Sequence, residues 1–237
     1  MTATELLAGR KLKRWNQQRA ARKLGVSQPY LSLLEHGARR MTGRLARRAA
    51  RLYELPLTTV PLTLSPDCLP EIDENDLSLD LAGLGYPGFS HLTRAANRGT
   101  HRSARNPVET LALALKSANL GSRVIEALPW VLLEFPNMDV TWLMKAAKLN
   151  DFQNRLGFVT NLAGRVAKRR GDEETARRLA GYESMLEQSR LAREGTLCNE
   201  SMTGTERRWL RTHRPEEAKH WGLLTDLAPE HLSYANW

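Results

Sequence analysis

An all-α fold is predicted by three features of the 237-residue chain. Apolar positions recur at helical spacing, capping residues stand ahead of those runs, and no stretch alternates apolar and polar residues convincingly. The expected order is an N-terminal set of short helices followed by a larger helical domain. Leu6, Leu7 and Leu12 form the apolar stripe of a first helix. Thr42 caps a helix running to about Glu54, with Leu45, Ala46, Ala49 and Leu52 inward and Arg44, Arg47, Arg48 and Arg51 outward. Pro56 and Pro61 end that signal. Residues 61–105 read as an ordered connector, acidic and then basic. Asp67, Glu71, Asp73, Glu74, Asp76 and Asp80 come first, and His91, Arg94, Arg98, His101, Arg102 and Arg105 follow. Leu77, Leu79, Leu81, Leu84, Tyr86 and Phe89 are too apolar for a free linker.

Helical signals resume in residues 106–237. Asn106, Pro107 and Glu109 read as a capping box with proline at the first helical position. A second helix starts near Ser122, includes Pro129 and ends at Phe135 and Pro136. Asp139 caps a third, with Trp142, Leu143 and Ala146 inward. Helices near 151–169 and 172–192 follow, the latter capped by Asp172, and Thr203 with Glu206 forms a capping box before Trp209 and Leu210.

Charge divides the chain unevenly. Residues 1–60 hold 13 Lys or Arg against 3 acids, whereas the other 177 residues hold 22 bases and 23 acids. A basic small domain joined to a near-neutral larger one suits a DNA-binding regulator. Cys68 and Cys198 stand in no paired-ligand spacing, so no disulfide framework or thiolate metal site is expected. No run of 18 apolar residues suggests a membrane span, and no secretory leader is legible, so the expected location is the cytoplasm.

The stretch NQQRAARKLGVSQPYLSLLEHG, Asn16 to Gly37, reads as helix, tight turn, helix. Asn16 caps the first helix, with Ala20, Ala21 and Leu24 inward. Gly25 supplies the turn, because positive φ carries no Cβ cost there. Val26 plugs the space beneath it. Ser27 caps a second helix with Tyr30, Leu31 and Leu34 inward, and Gly37 stops it. A helix this short fits a major groove. Gln28, in its first turn, has the amide geometry that pairs with adenine N6 and N7.

Gln17, Ala21, Leu24-Gly25-Val26-Ser27, Ser32, Leu34-Glu35 and Gly37 resemble the motif of the Cro/repressor-type (XRE) helix-turn-helix family over about residues 5–60. That resemblance implies double-stranded DNA as partner. It implies that Gln17 anchors the first motif helix at the phosphate backbone, while Gln28, Pro29 and Ser32 face the groove. Arg39, Arg40 and Arg44 follow and are expected to grip phosphates. Glu35 looks structural, tying its helix to neighbouring backbone or arginine, and is excluded from DNA contact. Ala20 stands where the family usually has leucine, so the small core must be filled from elsewhere. Leu33 and His36 depart from the usual polar or basic residues.

No catalytic constellation is present. Neither His91 with His101 nor His213 with His220 has metal-ligand spacing, and Gly83-Leu84-Gly85 lacks the rest of a nucleotide fingerprint. No enzyme activity, cofactor or metal is expected. Residues 139–159, which begin DVTWLMKAAKLNDFQNRLGF, resemble the C-terminal region of abortive-infection antitoxins, with Arg155, Leu156, Gly157 and Phe158 matching an Arg-Leu-Gly-aromatic turn. Those antitoxins usually carry an N-terminal winged helix, which this chain lacks. The resemblance implies a cognate toxin as a further partner and autoregulation of its operon. Trp130, Trp142, Trp209, Trp221 and Trp237 fall in residues 106–237, and tryptophan is enriched in cores and interfaces. Residues 1–60 are therefore expected to bind DNA as a helix-turn-helix domain, and residues 106–237 to dimerise or bind a partner. The whole reads as a homodimeric transcriptional regulator, a repressor, or alternatively as an antitoxin or interaction module that neutralises a partner such as a nucleotidyltransferase toxin, with DNA binding secondary.

Overall fold

The computed structural model describes residues 1–92 and 105–234. They fall into two units: residues 1–63 with Arg105 and Asn106, and residues 64–92 with 107–234. Both are helical. The expected positions Arg94, Arg98, His101, Arg102 and Trp237 lie outside the described residues.

The N-terminal unit has four helices: α1 (Ala3–Leu12), α2 (Gln17–Leu24), α3 (Gln28–Glu35) and α4 (Gly43–Tyr53). Each begins at a side-chain cap, from Thr2, Asn16, Ser27 and Thr42 in turn. Such a cap satisfies one of the amides that a helix start leaves without a partner. Thr2 and Glu5 add a reciprocal capping box. Leu6, Ala20, Ala21, Leu24, Leu31, Leu34, Ala49 and Tyr53 form the core, with Trp15, Val26 and Tyr30 packed against it. Tyr53 and Trp15, which the sequence reading does not place inward, belong to the same cluster as Ala20. Tyr53 lies so close to α1 that a Cβ on Gly9 would come within 2.9 Å of its ring. Leu12 corrects the expected α1 stripe: it is 75% exposed, because its helical phase takes it off the face shared by Leu6, Arg10 and Lys13.

In the larger unit, the acidic stretch contains a helix that the sequence reading does not separate from its connector. This is α5 (Glu74–Leu84), capped by Asp73 and closed by Gly85 at φ 98°. Leu77, Leu81 and Leu84 are buried. Leu79, exposed between the buried Leu77 and Leu81, lays an alternating apolar pattern over the helical one. Next come α6 (Pro107–Lys116), α7 (Ser122–Glu134), α8 (Val140–Leu149), α9 (Gln153–Arg169) and α10 (Glu173–Glu187). Asp139 and Asp172 cap α8 and α10 as expected. Asn106 donates through Nδ2 to the Val60 carbonyl at 2.7 Å, and a Glu109 oxygen accepts from the Leu64 amide at 2.7 Å. α9 and α10 pack as the long antiparallel pair of this unit.

Two short strands depart from a purely helical reading. β1 (Gly195–Thr196) pairs in parallel with β2 (Leu223–Leu224) across α11 (Gly204–His213) and α12 (Glu216–His220). Two residues per strand are too few for any alternation to be legible. Tyr234 is buried and donates its hydroxyl to the Glu126 carbonyl at 2.6 Å. Among the described residues, no helix is long and apolar enough to cross a membrane.

The expected turn at Arg155–Phe158 is corrected: those residues lie inside α9. Arg155 donates to the carbonyls of Leu115, Ser117 and Thr196 and to Glu200, tying α9 to two neighbouring segments. Leu156 and Phe158 are buried. Gly157 faces Trp221 so closely that a Cβ would lie 2.3 Å from the indole Cη2 and Cζ3. Glycine is mid-helix here because a fully buried indole occupies the space of a side chain.

Candidate nucleic-acid interface

The turn between α2 and α3 follows from four local choices. Gly25 takes the left-handed conformation at φ 65° and its amide, with that of Val26, bonds back to the end of α2. Ser27 Oγ accepts from the Tyr30 amide at 3.4 Å. Pro29 sits in the first turn of α3, where its missing N–H has no helical partner to lose. Leu31 and Leu34 then face the core.

A polar relay runs across three helices. Arg10 on α1 makes a two-pronged ion pair with Glu35 at the end of α3, Nε to Oε1 at 2.6 Å and Nη2 to Oε2 at 2.9 Å. Its Nη1 donates to the Trp15 carbonyl at 2.9 Å. Gln17 on α2 donates through Nε2 to Glu35 Oε2 at 3.0 Å, and Gln28 on α3 donates through Nε2 to Gln17 Oε1 at 3.0 Å. The Glu35 side chain is fully covered. Burial would raise its carboxyl, but the hydrogen bonds from Arg10 and Gln17 and the Arg10 charge outweigh that and hold it below the ordinary carboxylate range. The relay orients Gln28 from behind while Gln28 itself stays exposed. A preset amide loses less rotamer freedom on meeting a base edge.

Glu35 is therefore the tie between helices that the sequence reading expects, with arginine as its partner. Gln17 is half-buried and its amide is engaged on both sides within the unit. Ser32 is half-buried as well, and its hydroxyl lies 3.4 Å from Nδ1 of His36, the residue that ends α3. Pro29 is exposed on the outer side of α3. Arg39 and Arg40, between α3 and α4, are exposed and make no ion pair among the described residues; neither does Arg44, at the second position of α4. Lys13, by contrast, is paired with Glu54 at 2.6 Å. Sequence reasoning misses Arg10. Its neighbours Lys11, Lys13 and Arg14 are equally basic, and nothing in a single sequence distinguishes the one whose helical phase aims it at Glu35.

What this unit presents is a short helix with an amide side chain at its outward end, followed by unpaired guanidinium groups. Amides can donate and accept at a base edge, while guanidinium groups bind phosphate without regard to sequence. No curated protein and no solved structure matches the chain. Residues 6–60 match the family model described as Helix-turn-helix, so the N-terminal unit carries a helix-turn-helix domain, a domain type that suggests a DNA-binding regulatory role.

Proposed function

We propose that the protein is a sequence-specific transcriptional regulator, a repressor that reads double-stranded DNA with α3 and acts as a homodimer. The observation that carries the reading is exposed Gln28, oriented through Gln17 and Glu35 and followed by Arg39, Arg40 and Arg44. In this reading Gln28 contacts a base and Pro29 and Ser32 lie along the groove. Arg39, Arg40 and Arg44 hold phosphates, and Gln17 sets the angle of α2 at the backbone.

Gln28→Ala is expected to relax discrimination at one base step by roughly 1–3 kcal/mol. Arg40→Ala is expected to weaken every duplex about equally and to lower the salt slope by about one unit. Competition binding at several salt concentrations measures both. Equal losses on preferred and random duplexes for Gln28→Ala would remove its reading role.

Dimerisation follows from the limited specificity of one small module. Two copies related by a twofold axis would read half-sites about 34 Å apart. The strongly basic N-terminal unit repels its own kind, so residues 106–237 are the better contact. Leu149, Met185 and Trp209, each about half exposed, supply apolar surface there. Light scattering is expected to give a dimer for the intact chain at micromolar concentration. A monomer both free and on DNA would end the dimer reading. It would favour a second one, in which Trp209 and its apolar surroundings bind another protein, as an antitoxin binds its toxin, and DNA binding is secondary.

A further inference from the structure

We infer that the hollow lined by Lys23, Arg44, Arg48 and Arg51 is a binding site for neighbouring phosphate groups, supplied either by a DNA backbone or by a free polyphosphate. Only the first source rests on the function proposed above.

The hollow has a volume of about 460 Å³, and Leu52 is its one uncharged lining residue. Its chemistry is one-sided: four cations line it and no carboxylate does. Among the described residues none of the four forms an ion pair, whereas Arg10 and Lys13 in the same unit both have acidic partners. Like charges gathered without a counter-charge raise the local potential, and a phosphate relieves it. Guanidinium groups also match phosphate oxygens in pairs.

The cations are positioned from two helices. Arg44, Arg48 and Arg51 stand at i, i+4 and i+7 on one face of α4. They span about 10 Å along its axis, enough to meet more than one phosphate. Arg48 donates through Nη2 to the Lys23 carbonyl at 3.0 Å. That bond caps the C-terminal end of α2 and fixes the guanidinium at the edge of the hollow. The Lys23 ammonium lies 5.1 Å from the centre of the Trp15 ring, which holds it without neutralising it.

The site is separate from the amide relay. Gln17 begins α2 and Lys23 stands near its end, about 9 Å further along the axis. Arg44 alone belongs to both the hollow and the expected DNA-binding set. Lys23, Arg48 and Arg51 are cations that the base-reading arrangement does not use.

The test uses the full chain with Lys23→Gln and Arg51→Gln combined. Both side chains are exposed and neither caps a helix. The control, Arg22→Gln with Lys168→Gln, removes two exposed charges outside the hollow. A melt confirms that both variants fold. Calorimetric titration with sodium tripolyphosphate and duplex binding at several salt concentrations are then compared.

If the phosphates are free, the hollow variant loses tripolyphosphate affinity by about tenfold or more, and its salt slope on duplex is that of the control. If they belong to DNA, its salt slope falls by about two units relative to the control. Either result supports the site. The same behaviour for hollow variant and control in both titrations overturns it. Failure of the chain to prefer any duplex sequence would remove the proposed regulator function, yet the tripolyphosphate titration would still decide the hollow.

Discussion

Glu35→Ala is expected to destabilise the N-terminal unit by roughly 3–5 kcal/mol, the usual cost of leaving one partner of a covered ion pair alone. Arg10 would keep its charge, only 12% exposed, with the Trp15 carbonyl as its remaining partner. Gln17 would lose its acceptor as well, and Gln28 would lose the support behind it. Amide hydrogen exchange in α1 to α3 of the intact chain measures the stability loss. Combining Glu35→Leu with Arg10→Met is expected to restore most of the stability, because an apolar pair leaves no orphaned charge. It would not restore base discrimination, since Gln17 would still lack its acceptor. If the single substitution left exchange unchanged, the ion pair would contribute nothing to the unit.

The same pair sets a dependence on pH. Glu35 titrates below its ordinary range when folded, so the folded unit binds fewer protons than the unfolded chain as pH falls. Its contribution is complete above the ordinary carboxylate range and is lost as pH drops through the lowered folded value. Glu35→Gln is expected to flatten stability against pH across that acidic window, which exchange measured at stepped pH would detect.

Gly157→Ala is expected to cost the larger unit roughly 3 kcal/mol, at the upper end of overpacking penalties. The added methyl would need the position of the Trp221 ring edge, 2.3 Å away, and that ring is fully buried. α9 cannot easily yield, since Arg155 is bonded to three carbonyls and Glu200. Trp221→Leu should cost stability by itself, yet it should make Gly157→Ala nearly harmless, because the smaller side chain frees the space. Urea unfolding of the four chains gives this coupling. Additive effects would show that the two positions do not share the space. The result also bears on the antitoxin resemblance, because packing accounts for the glycine without a toxin.

Much of the molecule is legible before it folds. Helix starts at Asn16, Ser27, Thr42, Asp139, Asp172 and Thr203 can be read because a cap is a local device: one side chain bonding one nearby amide. Gly25 is legible for the same reason, since a left-handed turn between two apolar runs calls for glycine. The basic character of residues 1–60 and the outward Gln28 need only composition and helical phase. α5 was obscured by the alternating leucines at 77, 79 and 81, and β1 and β2 by their shortness.

The amino-acid sequence by itself determined the all-α class and the helix-turn-helix register from Asn16 to Gly37, and the family resemblance implied Glu35 as a structural residue. Only the tertiary structure decided which arginine meets Glu35, that Gln17 bridges Glu35 and Gln28, and that Arg155 to Phe158 continue a helix against Trp221. It also brought Lys23 beside Arg44, Arg48 and Arg51. The physical reason is separation along the chain. Caps and turns are settled by neighbours within a few residues, whereas Arg10 with Glu35, or Gly157 with Trp221, becomes a pair only when packing brings distant helices into contact.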